Sequence, residues 1–188
     1  MTRLLLRALN TPLIILFVMI GIALQSSLFS SWPLSLLQPD AVLLIVVWCA
    51  LKRNFGEGGL ITLVISEIAE IHSAAPQGLF LISYMVIFLG VRAASRFVVM
   101  PTLFSLAMIT LISSTFWKLT CLVVLSLLGV GSNQLRHTFT YLFLGAAIEA
   151  VLSLWAFRWL EKFDWMTFKN QRAEHAIEEE LQLDSEGL

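Results

Sequence analysis

The sequence predicts an all-α integral membrane protein with about six transmembrane helices, and three observations carry that expectation. Of its 188 residues, 58% are hydrophobic and 13% charged, with a mean hydropathy of +0.85; soluble chains carry about a quarter charged residues. The apolar residues fall in runs near the ~20 that a helix needs to cross a ~30 Å hydrocarbon core. The basic residues cluster between alternate runs, the pattern expected when cytoplasmic loops are enriched in Lys and Arg.

Taken in order, the first span covers about residues 11–28, behind a basic start at Arg3 and Arg7. No small-x-small cleavage site follows the run, so a retained helix is expected. Residues 30–40 hold Trp32, Pro33 and Pro39, which forbid a continuous helix and suit an interface. The second span, about residues 41–51, is short and stops at Lys52-Arg53. The third runs over about 58–71 and the fourth over about 78–91, ending at Arg92 and Arg96. Residues 97–131 contain a single charge, Lys118. As one helix this stretch would be a rod of roughly 50 Å, so a tilted or broken helix is expected, weakest at residues 113–118. The sixth span covers about 139–160. Residues 1–162 are thus read as a six-helix transmembrane domain. Residues 163–188 are read as an interfacial segment and an acidic tail, in which Glu174, Glu178, Glu179, Glu180, Asp184 and Glu186 occur with no Lys or Arg from 174 onward.

Six spans place Arg3, Arg7, Lys52, Arg53, Arg92, Arg96, Arg158, Lys162, Lys169 and Arg172 on one side. Both termini are therefore expected in the cytoplasm. Cys49 and Cys121 lie in separate apolar segments, where a free thiol behaves as a small hydrophobe.

Four ionisable residues fall within the spans: Glu67, Glu70, Lys118 and Glu149. Such groups cost ~2.5–3.5 kcal/mol at a helix centre and normally face a partner or a wet cavity. Glu67 and Glu70, three apart, share a helix face. Lys118 could pair with either, and a protonated Glu149 could sit neutral against a small neighbour. As structural ties between helices, such groups contribute ~0.6–2 kcal/mol each; the other role open to them is transport or partner recognition. His72 and His137 lack clustered ligands, so no metal site and no cofactor is expected. Gly56, Gly58 and Gly59 open the third span without a P-loop lysine and are read as packing glycines. No nucleophile elbow, HExxH or nucleotide-binding signature is present, which disfavours an enzyme, and nothing points to nucleic acid.

Gln38-Pro39-Asp40 opens an apolar run ending at Trp48. Lys52-Arg53 and the glycines up to Gly59 follow, then an acid in the third span, then Gly78-Leu79. This layout resembles the rod shape-determining protein MreD family. The family usually has Asp where this chain offers Glu67 or Glu70: spacing back from Gly78 favours Glu70, spacing forward from Gly59 favours Glu67. The resemblance implies a non-enzymatic inner-membrane component of the bacterial cell-elongation machinery. It would bind the membrane scaffold MreC and help couple MreB filaments to the lateral peptidoglycan synthase, in contact with membrane lipid. It also implies a compact bundle like the substrate-binding subunits of energy-coupling-factor transporters. A vitamin-type transporter subunit of that fold is the competing expectation, and an ion-coupled carrier a third.

Overall fold

The structure, a computed structural model, describes residues 2–28, 39–73, 76–95, 103–127 and 132–167. Among these described residues there are six α-helices and no strand: α1 (Thr2–Leu28), α2 (Ala41–Lys52), α3 (Phe55–Ile71), α4 (Leu79–Ser95), α5 (Leu103–Leu127) and α6 (Ser132–Met166). Among them three stretches are long and apolar enough to cross a membrane: Ala8–Ser27, Ser105–Val124 and Phe143–Met166. Helices α2 and α4 are shorter apolar helices. The architecture is that of a helical membrane protein.

The short α2 is the hub, packing against each of the other five helices. Its sequence explains why. From Ala41 to Leu51 it has no polar face, and a helix that is apolar all round is stable only when surrounded. Val42 to Leu44 and Val46 to Ala50 are buried accordingly, several of them completely. Asp40 starts it, in extended backbone, with its carboxylate accepting from the Leu43 N–H at 3.0 Å. Arg53, again extended, ends it, and only Asn54 separates it from α3. Such a tight turn forces α2 and α3 together, and Gly58 makes room for that approach. A Cβ on Gly58 would lie 2.9 Å from the Phe88 ring and 3.1 Å from the Cys49 carbonyl. At Gly59 the nearest atom would be an ordinary 3.7 Å away, so the constrained glycine of the group is Gly58.

The α3–α4 turn is built by Glu70 and Gly78. Gly78 adopts φ +86°, which glycine takes without Cβ strain. Its N–H then donates to Glu70 Oε1, while the Leu81 N–H reaches Glu70 Oε2 at 3.3 Å. A carboxylate on the unsatisfied amides of a helix N-terminus is favourable for both the hydrogen bonds and the dipole.

Helices α5 and α6 pack chiefly on each other and meet the rest mainly through α2 and α4, with α6 also touching α1 through Asn10 and Phe17. The break expected near 113–118 does not occur, for α5 is helical throughout its 25 residues. Its Thr110, Thr115 and Thr120 hydroxyls donate to carbonyls four residues back, at 2.9, 2.8 and 2.9 Å, so the polar residues need not interrupt the helix. At ~1.5 Å per residue its length is ~37 Å, short of the roughly 50 Å rod feared from the apolar run. Helix α6 extends beyond the apolar run to Met166, with Asp164 and Thr167 buried at its end. The interhelical piece at 29–38, the side chain of His137 and the acidic tail lie outside the described residues.

Candidate functional site

Two buried polar clusters occupy the opposite ends of α2, ~18 Å apart along its axis. The first forms around Arg53. Its guanidinium donates to Asp164 Oδ1 at 2.6 Å and to Asn10 Oδ1 at 2.8 Å, and it lies 4.7 Å over the Trp48 ring. The Asn10 amide in turn donates to Asp164 Oδ1 at 2.9 Å and to Thr167 Oγ1 at 2.6 Å. Arg92 Nη1 adds donors to the Ala50 and Arg53 carbonyls at 3.2 and 2.9 Å, closing the C-terminal end of α2. One cation faces one carboxylate, and together they tie the start of α1 and the end of α6 to the α2–α3 turn. Lys52 pairs with Glu161 at 2.8 Å just outside; both side chains are well exposed, so this pair contributes little.

The second cluster forms around Asp40, on the other end of the helix. Asp40 Oδ2 accepts from the Tyr84 hydroxyl at 2.5 Å, which joins α4 to the start of α2. The Tyr84 ring stacks on Trp117 of α5, with centroids 4.7 Å apart. The next residue on α5, Lys118, pairs with Glu149 Oε1 of α6. Glu149 is wholly buried, and Lys118 keeps a fifth of its side chain exposed. Ser114, one helical turn before Lys118 on α5, is fully buried. Glu149 Oε2 and Ser114 Oγ both lack a hydrogen-bond partner. Burying an ion pair stabilises only where the remaining polar atoms are satisfied; here two are not.

The four intramembrane residues singled out in the sequence therefore separate. Lys118 and Glu149 come together. Glu70 turns away to cap α4, so neither it nor Glu67 meets Lys118. Glu67 lies exposed on α3 and makes no hydrogen bond or ion pair among the described residues. Asp40 bonds Tyr84, Pro39 immediately precedes it half-buried, Gly78 takes the positive-φ turn, and Gly59 is not sterically constrained. Tyr84 and Ser114 were missed. A phenol in the middle of an apolar helix calls for a hydrogen-bond partner, and a Ser four residues before a Lys shares its helix face; either signal would have found them. Asn10, Arg53 and Asp164 gave no comparable local signal. Among the described residues no group of three or more His, Cys, Asp or Glu is placed to hold a metal ion. Cys49 and Cys121 form no disulfide and are buried and half-buried, respectively.

Compared with protein-family models, with curated proteins and with solved structures, the chain matches none.

Proposed function

We propose that the chain is a non-enzymatic, six-span component of the bacterial inner membrane, with both termini cytoplasmic. In this reading it serves the cell-elongation machinery by holding the transmembrane helix of a scaffold of the MreC kind, and through it MreB filaments and the peptidoglycan synthase. The observation that carries the partner-binding role is Glu67. It is exposed on a face of α3 shared with the exposed Leu60, Leu63 and Ile71, at helical spacings of three, four and four. In a bilayer a lone carboxyl on such a face costs ~2.5–3.5 kcal/mol. A donor on a neighbouring transmembrane helix offsets that cost.

The topology draws support from the ends of the helices. Lys52, Arg53 and Arg92 gather where α2 and α4 finish, beside Glu161 and Asp164 of α6. That end is the cytoplasmic one by the distribution of basic residues. The resemblance itself draws support from the tasks its positions perform, with Asp40 starting α2 and Gly78 receiving Glu70. Glu70 is accordingly the acid that acts with the turn glycine, and Glu67 the acid left for a partner.

The test is a photo-crosslinking side chain at position 67, together with depletion in the native cell. The crosslink is expected on a single-span membrane protein, and depletion is expected to turn rods into spheres. Cells that keep their shape and width on depletion overturn the elongation role. A Glu67→Leu chain that still captures the same partner overturns the place assigned to Glu67.

A further inference from the structure

A cleft opens at the Arg53 end of the bundle, where α2, α5 and α6 meet. Trp48, Leu51 and Lys52 line it from α2, Leu106 from α5, and Leu154, Phe157, Arg158 and Glu161 from α6. Its lining changes from apolar to charged along the helix axes. On α2 the change runs from Trp48 through Leu51 to Lys52, and on α6 from Leu154 through Phe157 to Arg158 and Glu161. Both helices run toward the same end, where Lys52 pairs with Glu161 and Arg53 with Asp164, so the change falls at one level. That level is where apolar helices give way to water, the depth of the lipid headgroups.

The charges lining the cleft do not balance. Lys52 and Arg158 are two cations against Glu161 alone. Lys52 and Glu161 pair at 2.8 Å, whereas Arg158 is exposed and makes no hydrogen bond or ion pair among the described residues. The wall holds a further donor, for Trp48 is buried and its Nε1–H has no acceptor. Leu106 lies in the first turn of α5, and the N-terminal end of a helix adds partial positive charge. An ammonium, a guanidinium and an indole N–H are all donors, so the group they suit is an acceptor-only anion.

The geometry points to a seat for the phosphate of one anionic phospholipid, with Arg158 and Lys52 as its charged donors. The enclosed space of about 20 Å³ admits one water-sized group. It therefore takes a phosphate oxygen, and the acyl chains remain in the bilayer. A lipid is favoured over a dissolved anion because the rest of the wall, Leu51, Leu106, Leu154 and Phe157, is apolar and the opening lies at headgroup depth. The cleft joins α2 to the α5–α6 hairpin, so an occupied seat steadies the hairpin on the hub. The inference rests on the membrane-protein fold and not on the elongation role.

Native mass spectrometry of the full chain, titrated in detergent with phosphatidylglycerol or phosphatidylcholine, tests it. The wild type is expected to retain one phosphatidylglycerol in preference to phosphatidylcholine. A basic residue at a membrane surface contributes enough that Arg158→Gln should weaken retention about fivefold. Glu161→Gln removes the competing acid and should strengthen it about threefold, in line with a screened, exposed pair. Lys162→Gln, also on α6 but outside the cleft, should change nothing. Equal retention of the two lipids overturns the inference, as does an equal loss in Arg158→Gln and Lys162→Gln or weaker retention in Glu161→Gln. Inorganic phosphate that displaces the lipid at equal concentration overturns the assignment to a lipid.

Discussion

The two ends of α2 hold polar clusters of similar make-up and opposite character. At the Arg53 end, one guanidinium and one carboxylate balance, and Asn10 and Thr167 complete the hydrogen bonds to Asp164. What is left over there is only N–H: the Arg53 Nε and the Trp48 indole. At the Asp40 end, Lys118 pairs with Glu149, and what is left over is Glu149 Oε2 and Ser114 Oγ. Two buried side-chain atoms thus lack a partner at each end, but only the second end leaves a carboxylate oxygen without one. In that sense the Arg53 end is closed and the Asp40 end open. Burial alone does not separate the two, for Glu149 is more deeply buried than Asp164. The orphaned carboxylate oxygen does.

The largest effect should come from breaking the closed end. Arg53→Ala strands the Asp164 carboxylate and the Asn10 carbonyl beneath α1 and α6, and removing one member of a buried pair costs about 3–5 kcal/mol. Denaturant unfolding in detergent measures it. A loss below about 1 kcal/mol, typical of an exposed pair, would erase the distinction drawn between the two ends. Asp40→Ala should follow. It removes an N-cap, typically ~1 kcal/mol, and leaves the buried Tyr84 hydroxyl without its acceptor, about 1–3 kcal/mol more. Asp40→Asn keeps the acceptor for the Leu43 N–H and turns its amide N–H toward the Tyr84 oxygen, which can accept it, and should recover part of the loss.

A smaller effect tests how α3 is held beside the closed end. Gly58→Ala sets a methyl against the Phe88 ring and the Cys49 backbone carbonyl. Overpacking of this kind costs about 1–3 kcal/mol. Gly59→Ala meets only an ordinary contact and, gaining helix propensity of up to ~1 kcal/mol, should be neutral or stabilising. Equal effects at the two positions would mean that the α2–α3 approach is looser than the Gly58 geometry implies.

The two ends also differ in how legible they were in the sequence. Lys118 and Glu149 stand out because a charge inside an apolar run has few innocent explanations. Asp40 stands out as an acid just ahead of an apolar helix. The Arg53 end was hidden. Arg53 looked like one of several loop cations, and Asp164 like part of an interfacial segment. They meet across 111 residues, and Asn10 meets Asp164 across 154; no periodicity along the chain reports a contact of that span. The same limit applies to the helices. Apolar runs located the helices, but that α2 would be buried, and which helices it would touch, depended on packing. Of the two forms expected for α5, tilted or broken, the break is absent, because back-bonded threonine hydroxyls look polar in sequence while staying satisfied inside the helix.

The smallest effect on stability is the most telling about the open end. Replacing both Lys118 and Glu149, as Lys118→Met with Glu149→Leu, exchanges a buried ion pair for apolar side chains of similar size. Such exchanges are often neutral or stabilising, and here the replacement also removes the unpartnered Oε2. The double variant should unfold within about 1 kcal/mol of wild type or above it, whereas Lys118→Met alone leaves the buried Glu149 without its cation and should be worse than the double. The parallel exchange at the other end, Arg53→Met with Asp164→Leu, cannot be neutral. It takes away the donor to the buried Asn10 carbonyl, at about 1–3 kcal/mol for the stranded group, and leaves the Asn10 amide only its bond to Thr167. If the Lys118/Glu149 double proves as costly as the Arg53/Asp164 double, the open end is a structural tie after all. If it is stable yet fails to support function, charge at the Asp40 end is there for something other than holding the bundle together.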